Sequence, residues 1–168
     1  MQSQLHLRDD TTRTPILVQS IPGTLVVIDM QPGFPLSCSV RRDVEAEILK
    51  AIACGWAIVI VEFDTEAACD THASLLKLLD GRDHHTLVKK YKEDGSDVVL
   101  EALQRLAYPT QLLRICGVMT DICVQQTAVG LAMALPTARI EVVKSACTTA
   151  IQPYDWATFN KPNGIVLV

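Results

Sequence analysis

Short apolar, β-branched runs recur along the chain, each followed by a stretch of helical periodicity, and this alternation restricts the fold more than any other feature. Residues 25–28 read Leu-Val-Val-Ile between Pro22-Gly23 and a polar Asp-Met-Gln-Pro-Gly segment. A run with no polar alternation suits a strand buried on both faces, as in a parallel sheet. Residues 57–61, 86–88, 111–116, 139–143 and 164–168 repeat the pattern. Between them, Val40, Val44, Ile48, Leu49 and Ile52 recur at helical spacing ahead of Gly55, a C-terminal cap. Helical composition also marks 72–79, 97–106 and 121–135, the last stopping at Pro136. Strands separated by helices imply right-handed βαβ crossovers. The expected fold is α/β: a doubly wound, Rossmann-like, mainly parallel sheet of five to six strands with helices on both faces. Residues 15–18 (Pro-Ile-Leu-Val) are read as an extra edge strand.

A length of 168 residues fits a single domain spanning 1–168. A net charge of −4 argues against a nucleic-acid partner, which calls for clustered Lys and Arg. The first ten residues lack the apolar core of a secretory signal, and no apolar run reaches the roughly 20 residues that span a bilayer. The expected setting is the cytoplasm, with no membrane partner. Six cysteines (Cys38, Cys54, Cys69, Cys116, Cys123 and Cys147) show no CxxC pairing, so they read as free thiols, most of them small buried hydrophobes.

Open parallel sheets bind ligands beyond the carboxyl ends of their strands. Three reactive residues fall there: Asp29 after the first strand, Lys90 or Lys89 after the third, and Cys123 past the fourth. A thiol with an ordinary pKa of about 8.5 needs a base or a positive field to attack at neutral pH. Asp29 is the candidate base, and a lysine cation the candidate holder of that base. Cys123 also lies in the first turn of its helix, after Thr120 or Asp121 as N-cap, where the helix dipole lowers a thiol's pKa. Each residue has a plainer reading. An aspartate at a strand end also serves as a turn former, a lysine near a charged loop is ordinarily solvated, and His72, His84 and His85 fit a polar loop better than a metal site.

Two segments resemble one family. Residues 25–34, containing Val-Val-Ile-Asp-Met-Gln and then Phe34, resemble the "VVIDMQxxF" opening of the isochorismatase-like cysteine hydrolases. Residues 117–128 resemble their "GVxTDxCVxxTA" segment, and 142–147 their strand ending in "DAC". The resemblance covers roughly residues 22–150. It implies Asp29 as general base, Cys123 as nucleophile and Lys90, in a "KxxxDGS" variant, as the third member, with Lys89 as the alternative register. It further implies a cis peptide at Val118–Met119, an oxyanion hole from the backbone N–H groups of Met119 and Cys123, and substrate contacts from Phe34 and Gln31. Nicotinamidases of this family carry an Asp-x-His…His metal motif after the second strand. Residues 62–72 lack that spacing, so neither metal nor cofactor is expected. Isochorismatases proper lack the cysteine, so Cys123 favours the amidase-type branch acting on a small-molecule amide or ureido compound. The alternatives are a catalytically silent binding or scaffold protein of the same fold, an isochorismatase-type vinyl ether hydrolase, and a redox-sensing thiol protein using Cys116 with Cys123. The resemblance also implies a homo-oligomer.

Overall fold

The computed structural model describes residues 21–65 and 69–168; the strand expected at 15–18 lies outside them. Six strands form one all-parallel sheet in the order β3-β2-β1-β4-β5-β6. They are β1 (Thr24–Ile28), β2 (Ala57–Phe63), β3 (His85–Lys90), β4 (Leu112–Val118), β5 (Arg139–Thr148) and β6 (Ile165–Leu167). The α/β fold expected from the alternating pattern is the one observed. All five residues of β1 are buried, as its unbroken apolar run requires of a strand covered on both faces. Helix α1 (Ser37–Ala53) packs over β1, β4 and β5. Helices α3 (Ser96–Arg105) and α4 (Gln125–Ala134) pack on each other, α3 over β2 and β3 and α4 over β5 and β6. Right-handed crossovers running in opposite directions from the sheet centre put α1 on one face and α3 and α4 on the other.

Several boundaries differ from the sequence reading. The helix expected over 72–79 is a single turn, α2 (Ala73–Leu76), tightening into a 3₁₀ turn at Lys77–Leu79. The helix expected from Asp121 begins as a π turn, Thr120–Val124, before continuing as α4. Strand β5 runs on to Thr148, past the polar Lys144-Ser145 where its apolar run breaks. It does so through an irregularity: β5 steps from Val142 to Cys147 while β4 steps only from Ile115 to Gly117. Near the C-terminus, a 3₁₀ turn spans Trp156–Thr158. No helix among the described residues is long and apolar enough to cross a membrane.

Strand order reverses between β1 and β4. Doubly wound sheets open their binding crevice at this switch point, beyond the carboxyl ends of the two strands. One glycine makes the approach possible. Gly117 has φ +123°, and a β-carbon there would stand 2.8 Å from the Ile28 backbone nitrogen.

Candidate active site

Asp29 leaves β1 with φ 52°, a left-handed conformation that Asp tolerates better than most residues. Its amide donates to the Val61 carbonyl at 2.9 Å, so the side chain turns across the end of β2. Lys90 ends β3, in register with Phe63 of β2. Its side chain is fully buried and spans β2 to bring Nζ within 2.9 Å of Asp29 Oδ2. Nζ also donates to the Glu93 carbonyl at 3.0 Å and lies 4.6 Å from the centre of the Phe63 ring. Lys89 points away. It is half exposed and its closest acid is Asp64, at 3.8 Å. Of the two lysines the sequence left open, Lys90 is therefore the one beside Asp29.

Cys123 approaches from the other side of the switch point. The peptide between Val118 and Met119 is cis, at the bond the resemblance implied. Met119 takes the N-cap position of the π turn with extended backbone and no side-chain cap, so neither Thr120 nor Asp121 caps it as expected. Asp121 instead accepts a hydrogen bond from the buried Thr149 hydroxyl, tying the turn to the end of β5, while Thr120 Oγ1 is buried without a partner among the described residues. The amides on either side of Cys123, those of Ile122 and Val124, both donate to the Met119 carbonyl at 3.1 and 3.0 Å.

The electrostatics depart from the sequence expectation. Burial pushes the Cys123 thiol up to about 11; the Asp29 charge adds to this and the Lys90 cation opposes it. Burial, at only 7% exposure, and the facing carboxylate both act against the depression expected from the helix start. Burial likewise raises the Asp29 carboxyl above its ordinary value, against the pull of Lys90. Among the described residues, no backbone amide donates to either Asp29 oxygen; the ammonium and the Cys123 thiol are the donors within reach. A carboxylate without amide donors keeps its basicity. The arrangement is thus a buried thiol beside a buried carboxylate paired with a buried ammonium.

Gln31 and Phe34, expected to contact substrate, sit differently. Gln31 is buried, and its side chain is spent on the backbone. Nε2 donates to the carbonyls of Phe63 (3.1 Å) and Cys69 (2.7 Å), and Oε1 accepts from the Phe63 amide at 2.8 Å. With its amide occupied on three sides, Gln31 is a clamp on the end of β2, not a free hydrogen-bonding group. Phe34 is half-buried and meets the Phe63 ring edge-on, with centroids 6.3 Å apart. Phe63 was not singled out in the sequence, where it falls within a loop, residues 62–73, read only as one of those that set specificity.

Among the described residues, no three His, Cys, Asp or Glu side chains cluster as ligands. Two side chains of residues 62–72 are engaged elsewhere. His72 Nε2 pairs with Ser37 Oγ at 2.7 Å, and Glu62 Oε1 accepts the Thr71 amide at 2.6 Å.

No protein-family model matches the chain, and no curated protein matches it. Solved structures do. The MAR1 ribonuclease from Caenorhabditis elegans matches with a TM-score of 0.66 at 18% identity, over 77% of this chain and 66% of that one. This chain thus spans just under two thirds of the ribonuclease. A nicotinamidase from Staphylococcus aureus matches with a TM-score of 0.64 at 19% identity, over 77% of this chain and 84% of that one. The N-carbamoylsarcosine amidase from Thermoplasma acidophilum gives 0.65 at 17% identity, over 86% and 94%. At such identities the likeness is one of fold, and the fold of this chain is isochorismatase-like.

Proposed function

We propose that the chain is a cysteine hydrolase that cleaves a carbon–nitrogen bond in a small amide or ureido compound through a thioester on Cys123. The observation that carries this reading is the buried Asp29–Lys90 pair beside the Cys123 thiol. In this reading the Cys123 thiol starts protonated and Asp29 starts as the carboxylate paired with Lys90. Asp29 accepts that proton as Sγ attacks the carbonyl carbon, and the N–H groups of Met119 and Cys123 receive the oxyanion. Asp29 returns the proton to the departing amine. Water, deprotonated by the same carboxylate, then attacks the thioester, releasing the acid and restoring the thiol. Lys90 keeps Asp29 anionic against the cost of its burial. A nicotinamidase and an N-carbamoylsarcosine amidase share the fold, which supports the choice of a carbon–nitrogen bond. Homo-oligomerisation is carried by the resemblance alone, and sedimentation would read it directly.

The test is ammonia or amine release from a panel of small amides and ureides, with Cys123→Ala as control. A turned-over substrate should also leave an acyl adduct on Cys123 in quenched mass spectra. Turnover surviving in Cys123→Ala would refute the mechanism. If binding of a panel compound persists in wild type and variant alike, without turnover in either, the silent binding reading takes its place.

A further inference from the structure

The Lys90 ammonium has three N–H directions and no exposure to solvent. One meets the Asp29 carboxylate at 2.9 Å and one the Glu93 carbonyl at 3.0 Å. The Cys123 sulfur is also within hydrogen-bonding reach, and the ammonium stands over the face of the Phe63 ring, 4.6 Å from its centre. A cation removed from water gains from an aromatic face what it has lost in hydration.

Phe63 is held with unusual thoroughness for a half-buried strand end. The Gln31 side chain bonds both its amide and its carbonyl, and its ring packs edge-on against Phe34. Gln31 and Phe34 therefore bracket the residue that faces Lys90. Strand register sets the same contact from below, since Phe63 pairs with Lys90 across β2 and β3.

From this chain of contacts we infer that Phe63 is a positioning residue, whose ring face, clamped by Gln31, holds the Lys90 ammonium on Asp29 and so sets the pH at which Asp29 works as a base. The inference rests on the proposed role of Asp29 and Lys90, but its consequence can be read without turnover. A leucine fills most of the ring's space and offers no π face; a tyrosine keeps the face. With the face gone, the ammonium sits less firmly on the carboxylate, and the Asp29 carboxyl rises further under its burial. A cation–π contact of ordinary strength corresponds to an upward shift of about half to one pH unit.

The experiment titrates the Asp29 side-chain carbon by ¹³C NMR in wild type, Phe63→Leu and Phe63→Tyr, with urea unfolding followed alongside. The expected result is an upward move of the Asp29 midpoint in the leucine variant, near-wild-type titration in the tyrosine variant, and the same order in the acid limb of Cys123 alkylation by iodoacetamide. An unmoved midpoint in Phe63→Leu, or equal shifts in both variants, would overturn the inference and leave Phe63 as packing. Because the carboxyl titrates whether or not any amide is hydrolysed, failure of the proposed activity is distinguished from failure of this inference.

Discussion

Lys90 is the residue on which the candidate site depends most, because it is a cation with no water around it. Replacing it with methionine keeps the stem and removes the charge. Asp29 is then buried without a counter-ion, and breaking a buried pair from one side costs about 3–5 kcal/mol. The sign with pH follows from the direction of the Asp29 shift. Its folded carboxyl already titrates above the unfolded value, and losing Lys90 raises it further. Ionisation is thus penalised in the fold, so stability declines as pH rises through the window between the two values. The Lys90→Met deficit should be largest at neutral pH and shrink on acidification below the folded Asp29 value, as urea unfolding at several pH values would read. Equal deficits at every pH would mean that Lys90 contributes only packing. If Asp29 is the base, turnover of any substrate found should also fall by about a hundredfold or more.

At the level of elements, the π turn carrying Cys123 and the loop carrying Lys90 are joined through α4. Gly95 donates to the buried Thr127 hydroxyl at 2.9 Å, and Asp94 accepts from the Ser96 amide at 2.8 Å. The loop lies directly on Gly130, where an added β-carbon would stand 2.7 Å from the Ser96 β-carbon and 3.0 Å from Asp94 Oδ1. Gly130→Ala should therefore push the 93–96 loop outward and carry the Glu93 carbonyl away from Lys90. An overpacked contact of this kind costs about 1–3 kcal/mol, and the rate should fall with it. Gly55→Ala is the informative control. At φ +67° with open space around it, that substitution meets only the backbone penalty of about 1–2 kcal/mol and should leave the rate alone. Thermal unfolding and turnover measured together would separate the two. A Gly130→Ala variant with wild-type rate and reduced stability would show that the loop does not govern Lys90.

These elements also mark where the sequence was legible. Strands β1 and β2 could be read because each is an apolar run buried on both faces, and a run of that kind has few other uses. Asp29 and Cys123 could be picked out because Asp29 follows β1 directly, Cys123 lies just past β4, and the segments around both carry the family resemblance. The π turn could not, since its composition is that of an ordinary helix start. Nor could the passage of β5 beyond Lys144, which depends on a register irregularity with β4, or the contact of Phe63 with Lys90, which depends on cross-strand register. Gln31 carries the same lesson: its amide looked available in the sequence, and three backbone groups from a distant segment occupy it.

Across the whole molecule, the two ends of the sheet do different work. The carboxyl ends gather Asp29, Lys90 and Cys123. The amino ends hold a charge network in which Arg114 Nε and Nη2 grip Glu47 at 2.5 and 3.1 Å and Nη1 meets Glu141 at 2.7 Å. Arg139 adds a bond to Glu141 at 2.9 Å. This network rims a cavity of about 150 Å³, lined also by Leu25, Trp56 and Leu112. Burial works against the Glu141 charge, yet the bonds from Arg139 and Arg114 outweigh it and hold its carboxyl below the usual range. A depressed folded value contributes stability that is present above the unfolded value and lost as pH falls through the folded one. Arg114→Met leaves Glu47 without its bidentate partner and Glu141 with one partner of two. The half-buried setting makes the cost about 1–3 kcal/mol at neutral pH, less in acid, as the Glu141 carboxylate takes up its proton. Arg114 lies near the start of β4 and Cys123 just past its end, with the apolar core of the strand between them. The variant should therefore unfold at lower temperature while its Cys123 alkylation rate, and any turnover, stay at the wild-type level. Scanning calorimetry at neutral and acid pH, run beside an iodoacetamide time course, reads both quantities. Slower alkylation at unchanged stability would mean that β4 transmits strain from one end to the other, and that the sheet is not the rigid partition its packing implies.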